Sequence, residues 1–151
     1  MPMRNILIYL ILVISTLTSC SPLKSINSEY KLVRTSSRGI SANEVGNGKV
    51  LIFNGSGMMQ KIDDTSRLNI WINGSALGQL NANEYAVLFL LPGTYNFKLQ
   101  HKDVGNFEST HIVEITKETI FVKVKPTLIS NKIEIVTNMP EELRWFSNIV
   151  Q

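Results

Sequence analysis

The side chains in this sequence able to do chemistry are few and scattered. Among 151 residues there are one Cys, two His and 12 acidic residues. A single thiol makes no internal disulfide and supplies no multi-Cys zinc, haem or iron–sulfur site. Pairing His101 with His111 across a hairpin would also set Leu99 opposite Val113 and Phe97 opposite Ile115. A zinc ion there would need Asp103 or Glu108 from the connecting loop to complete its three or four ligands. The plainer reading is a half-exposed pair bonded to backbone or water. Asp63-Asp64-Thr65 lacks the ligand count and the Gly of a calcium loop. Gly55-Ser56-Gly57 has neither the Lys nor the following helix of a phosphate loop. No Ser sits in a nucleophile elbow, and Glu141-Glu142 suits a helix N-terminus. This reading assigns no catalytic residue, no metal and no cofactor, and takes the chain for a non-enzyme.

Aromatic side chains are the other candidates. Trp71 shares a strand face with Asn69 and Asn73, opposite Leu68, Ile70 and Ile72. There it either stacks on a sugar or anchors a partner, or lies buried under a loop or the C-terminal helix. Tyr85 and Tyr95 would complete a stacking surface, and Trp145 with Phe146 would offer a docking site on that helix. With 15 basic residues against 12 acidic and no basic run, binding to nucleic acid has no electrostatic support.

The first twenty residues have a composition of their own. Arg4 precedes an unbroken apolar run, Ile6–Ile14, and then small and polar residues up to Cys20. That is the plan of a secretory signal peptide, and the run is about half of the ~20 residues a membrane span needs. Leu17-Thr18-Ser19-Cys20 resembles the lipobox of bacterial lipoproteins at every position. The resemblance implies cleavage between Ser19 and Cys20, a diacylglyceryl group on the Cys20 sulfur and an acyl chain on its new amine. The alternative is an ordinary secreted protein with an incidental Cys. Ser21, where the enterobacterial sorting pattern has Asp for inner-membrane retention, implies the outer membrane, facing the periplasm.

Residues 20–48, rich in Ser and Asn, read as a flexible tether with an r.m.s. reach of roughly 30 Å. The alternative adds Tyr30–Arg34 to the domain as an edge strand. The domain itself runs over 49–151. Its segments 49–53, 67–73, 76–80, 85–91, 95–101, 110–115, 119–125 and 132–137 are short, mostly alternating or wholly apolar, and separated by turn residues. Asn73-Gly74 is a strong hairpin signal. Eight such strands without a long helical pattern predict a small antiparallel β-sandwich. A short helix over about 140–150 should follow, with Pro140 opening it and Leu143, Phe146 and Ile149 or Val150 on one face.

Within the domain, Leu68–Tyr95 resembles the PEGA domains and a related lipoprotein domain of unknown function. The resemblance is carried by Ile70-x-Ile72-Asn73-Gly74, Gly78-x-Leu80, Tyr85 and Leu91-Pro92-Gly93-x-Tyr95. Asn73 replaces the usual Asp, and Asn81-Ala82-Asn83-Glu84 lacks the usual Gly. It implies a β-sandwich module with no activity to transfer. The expected protein is thus held to the membrane lipid through acylated Cys20, with a structural, assembly or interaction role toward an envelope protein. The alternative is a glycan-binding module, for peptidoglycan or polysaccharide, using Trp71, Tyr85 and Tyr95.

Overall fold

The structure, a computed structural model, describes residues 22–33, 39–56 and 66–149. The signal peptide, Ser19, Cys20, Asp63-Asp64-Thr65 and Val150 lie outside these residues. The chain forms a small all-β sandwich. One sheet has five strands in the order β8-β7-β1-β4-β9: Asn131–Val136, Phe121–Pro126, Lys49–Asn54, Glu84–Phe89 and Ser147–Asn148. The other has four in the order β3-β2-β5-β6: Ser75–Leu80, Leu68–Ile72, Gly93–Lys102 and Asn106–Ile115. All eight expected strands form, with ends shifted by at most two residues except that β6 starts four residues earlier, at Asn106. The sheets are mostly antiparallel, but β1 pairs in parallel with β7, and β4 with β9.

Side-chain alternation explains the layers. Val50 and Ile52 of β1, Ala86 and Leu88 of β4, and Val122 and Val124 of β7 face the other sheet, where they meet Ile70, Ile72, Phe97 and Leu99. The opposite faces of the same strands carry Leu51, Phe53, Tyr85, Val87 and Phe121, and these are buried as well. Ile40, Val45, Leu143 and Phe146 cover them, forming a second core on the far side of the five-stranded sheet. That is why 50–53 and 85–88 read as unbroken apolar runs: both of their faces are dry. Full burial of each such side chain stabilises the fold by about 1.5–3 kcal/mol.

Local chemistry sets the turns. Asn73 and Gly74 have φ of 51° and 89°, the positive pair that a type I′ hairpin requires. In the turn without its usual Gly, Asn83 takes φ 62°, and the Glu84 carboxylate accepts from the Asn81 backbone N–H at 2.8 Å.

Two expectations are corrected. The C-terminal helix over 140–150 is a five-residue 3-10 turn, Glu141–Trp145, with Pro140 as its N-cap, followed by β9. A helix of that length is marginal by itself; here Leu143 and Phe146 are drawn instead into the second core, and Ser147 and Asn148 into pairing with β4. The second correction concerns the tether. Within 20–48, residues 22–33 and 39–48 pack on the sandwich. Glu29 N–H donates to the Ala76 carbonyl at 2.8 Å and Val33 N–H to the Val87 carbonyl at 2.7 Å. The Tyr30 hydroxyl donates to the Ile72 carbonyl at 2.8 Å. Residues 22–33 are a strap across the open side between β3 and β4, and they form no edge strand. Gly39 sits so tightly on the C-terminal turn that a Cβ would lie 2.6 Å from the Arg144 carbonyl oxygen.

Candidate functional site

The five nominated aromatics do not gather. Trp71 projects from β2 on the outer face of the four-stranded sheet, partly exposed, with the Lys98 ammonium 5.1 Å from its ring centroid. Lys98 in turn pairs with Glu108 at 2.9 Å. Tyr95 lies half-buried at the start of β5 and donates its hydroxyl to the Leu91 carbonyl at 2.8 Å. Tyr85 is fully buried in the second core, so it contacts no ligand. Phe146 is buried too, packed edge-on against Phe53 at 6.0 Å. Trp145 alone of the five stands in solvent, 84% exposed. The stacking platform of Trp71, Tyr85 and Tyr95 is thus split between two sheets. Apolar demand in the second core, which the sequence does not announce, takes Tyr85 and Phe146 away from the surface.

The histidines also sit differently from the expectation. In the β5–β6 ladder His101 lies opposite Phe107 and His111 opposite Phe97. The pairing is displaced by four positions along β6, an even slip that keeps both rings on the inner face. His101 is buried, stacked on Phe107 at 5.0 Å, with Nδ1 2.7 Å from Asn131 Oδ1. His111 Nε2 lies 2.9 Å from Ser109 Oγ. Burial pushes the His111 imidazole below its ordinary pKa, favouring the neutral ring, whose Nε2 can accept from the serine hydroxyl. Among the described residues no cluster of three or more His, Cys, Asp or Glu could hold a metal ion.

Sequence reading missed the two asparagines that close one end of the sandwich. Asn131 of β8 donates Nδ2 to the Leu99 carbonyl at 3.3 Å and to Ser109 Oγ at 3.1 Å, while its Oδ1 faces His101. Asn54 of β1 donates Nδ2 to the Ser66 and Leu80 carbonyls at 2.6 and 3.0 Å. Each reaches from the five-stranded sheet to the other, and both are buried. The signal for each was a polar residue at a strand end beside Gly or Ser, which also describes an ordinary turn.

At the same end the strap begins. The Lys24 carbonyl accepts from Asn69 Nδ2 at 2.8 Å on the outer face of the four-stranded sheet. Pro22, Leu23 and Lys24 lie beside Gln100, Lys102 and Asn106. Further along, the strap, β3 and the C-terminal segment enclose an open groove of about 680 Å³, lined by Ser28, Leu32, Gln79, Glu84, Asn148 and Ile149 among others. Asn148 Oδ1 there is buried without a hydrogen-bond partner, while its Nδ2 donates to the Val33 carbonyl.

No family model, curated protein or solved structure matches the chain. The PEGA resemblance therefore rests on the motifs of Leu68–Tyr95.

Proposed function

We propose that this chain is a lipid-anchored bacterial envelope protein, exported by residues 1–19, acylated on Cys20, and placed at the outer membrane facing the periplasm. Its domain is a non-catalytic, PEGA-like module with a structural, assembly or interaction role toward another envelope protein. The observation that carries this reading is Leu17-Thr18-Ser19-Cys20 placed directly after the apolar run Ile6–Ile14. A chain whose sole thiol is its anchor leaves none to misoxidise outside the cytoplasm. Several acyl chains on one residue hold a protein stably at a membrane where a single chain would not. Trp145, large, apolar and in solvent, supports a protein partner. The glycan reading loses support, because Tyr85 is buried and Lys98 covers Trp71.

The test is Cys20→Ser in cells that make the full chain. The wild type should fractionate with membranes and gain the mass of its acyl groups after loss of residues 1–19. The variant should stay unprocessed or become soluble. Equal membrane fractionation of a mature, unmodified variant refutes the anchor. Crosslinking in intact envelopes then identifies the partner.

A further inference from the structure

The end of the sandwich where the strap begins carries an unusual set of turns. The β5–β6 hairpin turns through Asp103, Val104 and Gly105, and the β7–β8 hairpin through Thr127, Leu128, Ile129 and Ser130. Val104, Leu128 and Ile129 are 94%, 82% and 81% exposed. Turn tips ordinarily carry Gly, Asn, Asp or Ser, which meet water at little cost; here three aliphatic side chains stand in solvent instead. Asn131, at the foot of the second turn, bonds to Leu99, Phe107 and Ser109 of the first hairpin. The two tips therefore project side by side from one end.

The path of the strap makes this end the one nearest to Cys20. Asn69 fixes the Lys24 carbonyl, and Pro22 and Leu23 lie against Gln100, Lys102 and Asn106, which flank the first tip. Two peptide units separate Cys20 from Pro22, a reach of about 7 Å. The opposite end, with Phe89 and Leu91 also exposed, lies a ten-residue strand away, about 30 Å. Lys24 and Lys102 beside the tips suit anionic headgroups, with Asp103 the one acid in the turn itself.

We propose that Val104, Leu128 and Ile129 form a lipid-contacting surface that dips into the membrane interface, so that the domain sits on the bilayer in a fixed orientation rather than hanging from a tether. This rests on the anchoring of Cys20. Acyl chains confine the domain to the surface, and the aliphatic tips then add a second, non-covalent contact.

The experiment uses the full chain made in cells that acylate it, reconstituted into phosphatidylethanolamine–phosphatidylglycerol vesicles containing nitroxide-labelled lipid. Val104→Cys, Leu128→Cys, Ile129→Cys and Leu91→Cys are each labelled with an environment-sensitive fluorophore. Cys20 is a thioether in the acylated protein and does not react. Labels at 104, 128 and 129 should be blue-shifted and quenched several-fold more strongly than the label at 91, which is just as exposed in the structure but sits at the far end. Equal quenching at all four positions, with acylation confirmed by mass, overturns the lipid-contacting surface and leaves the anchor intact. Tips unquenched in protein-free vesicles yet shielded in native envelopes overturn it in favour of a protein partner. A chain found unacylated by mass, its Cys20 open to labelling, removes the anchor and with it this surface.

Discussion

The two sheets of this sandwich share one interior but treat their outer faces differently. The five-stranded sheet is roofed by Ile40, Val45, Leu143 and Phe146. The four-stranded sheet leaves Thr94, Asn96, Glu108, Thr110, Ile112 and Glu114 in water. Its strands β5 and β6 alternate, whereas β1 and β4 do not. The contrast shows that coverage, more than strand order, decides what a strand's sequence looks like. It also shows that segments 39–48 and 139–146, polar on average, belong to the fold through a handful of apolar anchors.

The largest break in this comparison should come from Phe53→Ala. Phe53 is fully buried against Phe146, and its loss should cost about 3–5 kcal/mol in denaturant melts of the mature protein. A cost under about 1 kcal/mol would mean that the roof is not a packed core. Asn131→Ala should come next, at about 1–3 kcal/mol, because it strips the partner from buried His101 while leaving the sheets otherwise intact. If the loss instead matched that of an exposed-site control, the bridging role of Asn131 would be wrong. The smallest effect belongs to the wet face. Lys98→Ala removes a surface ion pair and a cation–π contact and should cost about 1 kcal/mol or less, shrinking further in high salt. A loss comparable with that of Phe53→Ala would erase the distinction between the two faces.

The same contrast marks what could be read in the sequence. The alternating strands and the Asn73-Gly74 turn were legible because each is a local property: period two, and positive φ at two adjacent residues. The β5–β6 register was not. Residues 106–109 read as loop, yet they open an edge strand with Asn106 and Glu108 facing outward, and the turn is three residues long. An even slip leaves the inward pattern unchanged, so alternation alone could not detect it. The strap was illegible for another reason. Its polar residues are bonded through the backbone, as at Glu29 and Val33, which composition does not reveal. Tyr85 and Phe146 look like contacts in the sequence because an aromatic in a strand or on a short helix reads the same whether solvent or a second core awaits it.

The parallel pairing of β9 with β4 has a bearing on the order in which this protein can become itself. Ser147 N–H donates to the Asn83 carbonyl, Ile149 N–H to the Tyr85 carbonyl, and Asn148 holds the Val33 carbonyl. The strap and the last described strand thus meet on one edge. β1, in the middle of its sheet, likewise waits for β7, about 70 residues later in the chain. A polypeptide emerging N-terminus first exposes the strap before any of the strands that hold it, and the bond from Asn148 to Val33 joins residues 115 positions apart. The strap is consequently fastened in steps, first by β2 and β3, then by β4, and at Val33 also by Asn148.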